Sequence, residues 1–225
     1  MKRYTLEDFK KFGRNEFGYI ICPSGDYTGI PEFPAYCIFE ANCRFWDECG
    51  FGQYCHFGKD CKFGYGCNFG KSCRFGELCD FENECNFKDN CSFGKWCHFG
   101  EFCIFENNCK FEKWCNFGEN CLFLTGCSFE KYCEFGEACI FSPGCTVEGG
   151  KELKSYTKIK GIVGTRRCTY LYQLTDGSVY IRFGVISGYE DKFLSAINEK
   201  YGSTVYEQYQ LALELAKLTF QEEVK

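Results

Sequence analysis

A six-residue repeat occupies the middle of the chain. Cysteine recurs at every sixth position from Cys37 to Cys145 without a gap, which accounts for nineteen of the 21 cysteines. Phenylalanine stands two places after each of these cysteines except the last, which is followed by Val147. Because six residues cannot enclose a hydrophobic core, the copies must stack on one another. The unit Cys-x-Phe-Gly/Glu-x-x therefore predicts a solenoid.

The spacing inside one unit predicts a short β-strand followed by a corner. Residues i and i+2 of a strand point to the same side, so Cys and Phe face inward together and the residue between them faces outward. Gly or Glu usually follows Phe, and Asn, Lys, Asp and Gly are common in the next two places, as in a corner. Three such sides make a coil of about eighteen residues, so the repeat predicts about six coils.

Read from Phe, the unit Phe-Gly-x-x-Cys-x resembles the hexapeptide signature of left-handed parallel β-helix proteins. That signature has a large aliphatic residue, Gly or an acid, two variable places, a small residue and one variable place. Phenylalanine replaces the aliphatic residue here, which makes the chain a Cys-x-Phe variant. The pattern with its flanks is also similar to uncharacterised proteins of gut bacteria and their phages. The resemblance implies a mainly β fold, a left-handed parallel β-helix.

The flanking segments predict a domain on each side of the repeat. Residues 1–36 are expected to form an N-terminal cap, with a helix started by Thr5 and Asp8 that runs from Leu6 to Phe12 and a strand near Tyr19 to Cys22. Residues 37–148 form the hexapeptide-repeat β-solenoid. Residues 151–225 form a C-terminal α+β unit that caps the solenoid or binds a partner.

Three strands and two helices are predicted in the C-terminal unit. Asp176-Gly177 is a hairpin turn, Gly202 ends the first helix, and Thr204 with Glu207 opens the second. The predicted strands are Lys158 to Val163, Cys168 to Leu174 and Val179 to Ile186.

Three roles are open for the repeated cysteines. As small apolar residues beside large phenylalanines they fill a core. Disulfides between stacked coils are disfavoured because the Cβ vectors would run parallel. A metal site needs thiolates that converge, whereas this repeat spreads them along the axis and contains no Cys-x-x-Cys pair. We expect a reduced core and neither a metal nor a cofactor.

Outward residues eighteen positions apart stack vertically, and one such column becomes apolar. An apolar patch is predicted at Phe102, Ile104, Leu122, Leu124 and Ile140. Exposed apolar surface of this kind normally marks a contact. The chain's own C-terminal region, a homotrimer or another partner are the alternatives for what covers it.

A corner column is aromatic and lies beside lysines. The aromatic–lysine corner consists of Leu78, Trp96, Trp114 and Tyr132 with Lys95, Lys113 and Lys131. Stacked rings beside cations can hold a base, a sugar or a partner side chain. The alternative interpretation is a ladder that only stabilises the solenoid surface. These residues are the predicted partner-binding site.

The histidines argue against an enzyme. Proteins with the hexapeptide signature are often acyltransferases that use acetyl-CoA and a histidine base, or resemble γ-type carbonic anhydrases with three zinc-binding histidines. This chain has only His56 and His98, 42 residues apart and so on different faces. The repeat also has no insertion that could shape a pocket.

We therefore expect a non-enzymatic scaffold or protein–protein interaction module. Two alternatives stay open: a phage- or host-directed inhibitor that binds a nucleic-acid enzyme, and an acyltransferase that uses His98 or His56 as the general base.

Charge and hydropathy set limits on partners. The net charge of −5 combines 26 basic and 31 acidic residues of mixed placement, so nucleic acid is not expected as a partner. No apolar run approaches a membrane span, and Met1 to Phe12 is too charged for a signal peptide. A cytoplasmic location without membrane contact is the expectation.

Overall fold

The structure is a computed structural model that describes residues 1–148, 150–162 and 168–222. Two compact units are distinguished, Met1–Gly150 and Lys151–Lys225. The first unit is a parallel β-solenoid and the second is an α+β unit.

The strands of the first unit are two or three residues long and follow a short helix, α1 (Leu6–Phe9). The strands are β1 (Ile20–Cys22), β2 (Glu32–Phe33), β3 (Cys37–Phe39), β4 (Gly50–Phe51), β5 (His56–Phe57), β6 (Lys62–Phe63), β7 (Asn68–Phe69), β8 (Arg74–Phe75), β9 (Asp80–Phe81), β10 (Asn86–Phe87), β11 (Ser92–Phe93), β12 (His98–Phe99), β13 (Ile104–Phe105), β14 (Lys110–Phe111), β15 (Asn116–Phe117), β16 (Leu122–Phe123), β17 (Ser128–Phe129), β18 (Glu134–Phe135), β19 (Ile140–Phe141) and β20 (Thr146–Val147).

The strands of this unit form three faces, and the strands within each face are parallel. Face one contains β1, β3, β5, β8, β11, β14, β17 and β20; face two contains β6, β9, β12, β15 and β18; face three contains β2, β4, β7, β10, β13, β16 and β19. Within each face a residue of the repeat pairs with the residue eighteen positions later, as His56 does with Arg74. The predicted coil length is therefore confirmed, while the left-handed sense of the coils stays a prediction.

Stacking begins one coil before the first Cys-x-Phe unit. Strand β1 pairs with β3 and β2 pairs with β4, both in parallel. About seven turns result, one more than the repeat alone predicts. The aromatic rings follow the same course, because Tyr27 stacks on Phe45 with centroids 5.6 Å apart and Phe33 stacks on Phe51 at 5.1 Å.

Backbone hydrogen bonds tie both the strands and the corners of successive coils. In a strand, the amide of Lys62 donates to the carbonyl of Cys43 at 2.9 Å. At a corner, the amide of Asn42 donates to the carbonyl of Lys59 at 2.8 Å. Because buried backbone groups are costly when unpaired, these repeated bonds stabilise every coil on its neighbours.

Three columns of phenylalanine fill the interior. Within a column the rings are nearly parallel, as for Phe57 and Phe75 with centroids 4.8 Å apart and an interplanar angle of 3°. Between columns the rings meet edge to face, as for Phe57 and Phe63 at 5.0 Å and 86°. Both arrangements are favourable for aromatic quadrupoles.

The repeated cysteines are buried and free of disulfides. Their sulfurs lie near corner carbonyls of the preceding coil, as Cys73 Sγ donates to the Gly52 carbonyl oxygen at 3.4 Å. At Cys43, for example, the hydrogen bond that its thiol donates to Cys61 raises the pKa, and burial raises it further. A protonated, buried thiol is a small core residue and a poor nucleophile.

The predicted capping box at the chain start is confirmed. Thr5 N donates to Asp8 Oδ2 at 2.9 Å, and Asp8 N donates to Thr5 Oγ1 at 3.2 Å. The helix ends at Phe9 rather than Phe12. Phe12 instead packs its ring against Tyr4, with centroids 5.2 Å apart.

The described residues of the C-terminal unit form four antiparallel strands and two helices. They are β21 (Lys151–Lys160), β22 (Cys168–Leu174), β23 (Val179–Phe183), β24 (Ile186–Tyr189), α2 (Glu190–Tyr201) and α3 (Ser203–Glu222). The helices bury Phe193, Ile197 and Tyr209 with Leu171 and Ile181 of the sheet.

Two details differ from the expected strands and helices of this unit. The predicted third strand is split in two, because Gly184 adopts a φ of 58° and turns the chain between β23 and β24. The first strand begins earlier than expected, at Lys151, and Val163 lies outside the described residues. The turn at Gly177 and the helix end at Gly202 occur as predicted, with φ of 83° and 84°.

Candidate functional site

The residue that precedes each repeat cysteine adopts a left-handed backbone conformation. In the aromatic–lysine corner, φ is 60° at Leu78, 56° at Trp96, 66° at Trp114 and 68° at Tyr132. This conformation suits Gly, Asn and Asp and is unfavourable for bulky residues, at about 1 kcal/mol or more for each. The aromatic residues therefore occupy positions that their own backbone preferences disfavour.

Backbone hydrogen bonds place the corner residues one above another. The amide of Trp96 donates to the Lys113 carbonyl at 3.2 Å, and the amide of Trp114 donates to the Lys131 carbonyl at 3.3 Å. The rings of Trp114 and Tyr132 stack with centroids 4.3 Å apart. The vertical alignment expected from the eighteen-residue spacing is thus present, and the binding role stays a prediction.

The corner is exposed and retains unpaired cations. The side chains of Trp96 and Trp114 are 49% and 42% exposed. Lys95 Nζ lies 3.7 Å from Glu77 Oε1. Lys113 and Lys131 make no ion pair within the described part of the chain. The corner therefore offers indole surface beside two available ammonium groups.

Glu148 contacts the last aromatic residue of this corner column. Its carboxylate accepts a hydrogen bond from the Tyr132 amide at 3.5 Å. Glu148 is itself buried. Sequence reasoning missed this contact because Glu148 occupies the usual Gly/Glu place of the last repeat unit, where nothing marks it as different.

The apolar patch lies on face three and its edges. Ile104 pairs with Leu122, and Leu122 with Ile140, as the spacing predicts. Phe102 is 50% exposed and Ile140 62% exposed, whereas Leu122 and Leu124 are half-buried. Burial of this patch by the C-terminal region, by a homotrimer or by another partner stays a prediction.

His56 and His98 lie on different faces, face one and face two, as predicted. His98 pairs with Asp80 one coil earlier, with Nδ1 and Oδ1 3.3 Å apart. This contact was overlooked in the sequence, although the two residues are eighteen positions apart. The Asp80 hydrogen bond raises the pKa of His98, and the His98 hydrogen bond lowers that of Asp80.

The Asp80–His98 pair has the composition of a general base with an orienting carboxylate. A raised pKa keeps more of the imidazole protonated, which weakens it as a base near neutral pH. Both side chains are about half exposed on a strand face. We therefore interpret the contact as a surface ion pair.

The pKa of His56 is shifted in the opposite direction, below its ordinary value. Burial lowers its pKa first, and the nearby Arg74 guanidinium lowers it further. Its ring lies 5.2 Å from that of Tyr19 between centroids. Arg74 therefore places a positive charge beside this imidazole on face one.

Neither a metal cluster nor a membrane-spanning helix occurs among the described residues. No group of three or more His, Cys, Asp or Glu side chains there could hold a metal ion. None of the described helices is long and apolar enough to cross a membrane.

Comparison with known proteins found no matching family, no matching curated protein and no matching solved structure. Function is accordingly inferred from the residues of this chain.

Proposed function

We propose that the protein is a non-enzymatic β-solenoid scaffold that binds a protein partner through the aromatic–lysine corner. The observation that carries this proposal is the pair Trp96 and Trp114, large exposed rings held at left-handed φ. Strained residues persist where the surrounding structure or a function maintains them, and they cluster at binding sites.

The solenoid does not require aromatic residues at these positions. Asn42 and Asp60 precede Leu78 in the same corner column and have φ of 62° and 57° with side chains that tolerate this conformation. Trp in place of Asn or Asp destabilises the left-handed backbone of the folded protein and leaves the apolar indole in water. Burial of the indoles by a partner would offset both costs, since Trp is enriched among the residues that dominate binding energy.

The adjacent lysines indicate the chemistry of the partner. Lys113 and Lys131 lie one residue before the rings and have exposed side chains. A protein surface that presents carboxylates around an apolar side chain would complement them. The corner backbones are hydrogen-bonded to the next coil, so little backbone conformational entropy would be lost on binding.

The hexapeptide signature supports the same proposal. We infer that the coils wind left-handed, as in the β-helix proteins that the repeat resembles. Such a prism displays outward side chains at a constant spacing, which suits a rigid binding surface better than a closed catalytic pocket.

Affinity capture from cells that produce the protein, followed by calorimetry with the purified partner, tests the proposal. The double variant Trp96→Asn/Trp114→Asn should weaken binding about thirtyfold or more, the effect of losing about 2 kcal/mol at a binding hot spot. Lys113→Gln/Lys131→Gln should weaken it less and reduce its salt dependence.

Trp46→Asn is the matched control. Trp46 is 62% exposed at another corner and lies outside the set of positive-φ residues. Partner recovery that survives the double variant, or that is lost equally in Trp46→Asn, would overturn the proposed surface. Acetyl transfer from acetyl-CoA that disappears in His98→Asn or His56→Asn would overturn the non-enzymatic assignment.

A further inference from the structure

An open groove of about 660 Å³ runs along face one of the solenoid. One wall is the outward column of that face, in which His56, Arg74, Ser92 and Lys110 pair in register. The groove therefore spans four successive coils, about 14 Å at the usual strand spacing. This polar groove has no part in the partner surface proposed above.

The other wall is a corner column of small polar residues. Ser72, Asn90 and Asn108 line the groove there, after Tyr54 at its beginning. Hydroxyl and amide side chains both donate and accept hydrogen bonds. With Ser92 opposite, almost every coil presents one group of this kind, which suits a ligand with hydroxyl groups along its length.

The charge of the groove is opposite to that of the whole chain. None of its lining residues is acidic, although the chain carries a net charge of −5. Arg74 and Lys110 are exposed and form no ion pair in the part of the chain that the structure describes. Separated by two strand spacings, or about 10 Å, they could contact two anionic groups of one ligand.

Carboxylates lie on the opposite side of the same column. Glu77, Glu112 and Glu130 line a second groove there, together with Arg74 and Lys110. Glu77 already contacts Lys95 at 3.7 Å. An anion that approaches Arg74 and Lys110 would therefore avoid this side and occupy the side without acids.

An aromatic ring stack ends inside the polar groove. Tyr36 and Tyr54 stack with centroids 5.2 Å apart. The next residue of the column is Ser72, whose side chain is too small to continue the stack. Tyr54 remains 38% exposed at the groove, so a ligand ring could take the place of the next aromatic residue.

We propose that the polar groove binds an anionic oligosaccharide. One sugar ring packs on Tyr54, the hydroxyl groups bind the serine and asparagine side chains, and acidic substituents bind Arg74 and Lys110. An elongated groove with polar groups in successive coils matches a chain of sugars, whose hydroxyl groups recur along its length.

Calorimetry with the full chain in calcium-free buffer tests this inference. The probes are a galacturonic acid hexamer, which carries carboxylates, and a heparin hexasaccharide, which carries sulfates as well. Maltohexaose is the neutral probe of equal length. Binding of either acidic hexamer without binding of maltohexaose is expected, and the better probe identifies the anionic group.

Variants assign the binding to the groove. Arg74→Gln and Lys110→Gln should each weaken binding about tenfold, and Tyr54→Asn should weaken it without a fold defect because Asn90 and Asn108 occupy the same column. Lys62→Gln, which removes one positive charge from face two, should change it less than twofold.

Several results would overturn the inference. They are no binding of either acidic hexamer at millimolar concentration, equal binding of maltohexaose, tighter binding of ADP than of both acidic hexamers, or affinity unaffected by both Arg74→Gln and Lys110→Gln. Trp96→Asn/Trp114→Asn should leave oligosaccharide binding unchanged, so this site and the protein-partner site can fail independently.

Discussion

The interior and the corners of the solenoid differ in what recurs from coil to coil. Inside, every coil repeats the same small and large residues, and the phenylalanine rings form a regular lattice with spacings near 4.8 Å, as between Phe75 and Phe93. At the corners the left-handed conformation recurs from Tyr36 to Ala138, yet it carries residues as different as Asn, Asp, Leu and Trp. The interior is chemically uniform, whereas the corners are uniform only in conformation.

This difference indicates that the inward residues determine the fold, whereas the outward and corner residues determine what the protein binds. Uniform inward residues allow any coil to stack on any other, so they carry no information about a particular ligand. At the corners the left-handed conformation is kept while the side chain changes. The choice of side chain there is therefore not fixed by packing in the core. Trp96, Trp114 and Tyr54 stand out because a conformation that suits Asn or Gly holds an aromatic ring instead.

Removing one interior ring should have the largest effect on stability. Phe93 is buried and stacks at 4.8 Å on both Phe75 and Phe111. Phe93→Ala should lower the free energy of unfolding by about 3–5 kcal/mol, since the stacked coils cannot collapse into the cavity. Chemical denaturation of the full chain measures this loss.

The corner residue Phe102 provides the control. Its ring is 50% exposed, and Ala138 holds the same conformation in the same corner column, at a φ of 53°. Phe102→Ala should therefore cost less than about 1 kcal/mol. Comparable losses in the two variants would contradict the division between interior and corners.

A smaller effect of opposite sign is expected at the aromatic–lysine corner. Trp96→Asn should raise the free energy of unfolding by about 0.5–1 kcal/mol, because Asn tolerates a φ of 56° better than Trp. Thermal and chemical denaturation measure the change. Trp46→Asn should bring no such gain, and destabilisation by Trp96→Asn would mean that the indole is a structural element.

The smallest effect concerns the Asp80–His98 pair. The pKa of His98 is raised, so its stabilising contribution is complete below about pH 6.5 and is lost as the pH rises through the folded-state pKa. The pKa of Asp80 is lowered, so its contribution is lost as the pH falls below about 3.8. Because both groups are about half exposed, the pair contributes less than about 1 kcal/mol.

An NMR titration of the two imidazoles measures this directly. Asp80→Asn should lower the pKa of His98 toward 6.5, its ordinary value. His56 lies on face one, and its lowered pKa should not move. An unchanged His98 titration in Asp80→Asn would show that the contact is absent in solution.

Much of the solenoid could be predicted because its information is local and repeated. The Cys-x-Phe spacing predicts which residues face inward, and the eighteen-residue interval correctly predicts columns such as Ile104, Leu122 and Ile140. The extra first coil was missed because Tyr27 and Phe33 continue the aromatic columns without the repeat. The split between β23 and β24 was missed because a single glycine decides it.

The candidate sites, too, could be predicted only in part from the sequence. The residues of the aromatic–lysine corner could be read from spacing, whereas their left-handed φ could not, since Trp is a poor signal for that conformation. The polar groove was missed because the outward residues His56, Arg74, Ser92 and Lys110 follow no repeating pattern of charge or polarity along the chain. Only the arrangement of Tyr54, Arg74 and Lys110 around one groove shows a wall without acids.

The sequence by itself determined a parallel solenoid with three inward columns, because side-chain alternation in a strand and a strict period leave few other solutions. The tertiary structure decided which outward groups meet and in what electrostatic setting. The contact of Asp80 with His98 and the hydrogen bond from Tyr132 to Glu148 depend on distances between neighbouring coils. So does the lack of an ion pair at Arg74 among the described residues. Such distances follow from stacking and side-chain conformation, which a period along the chain does not specify.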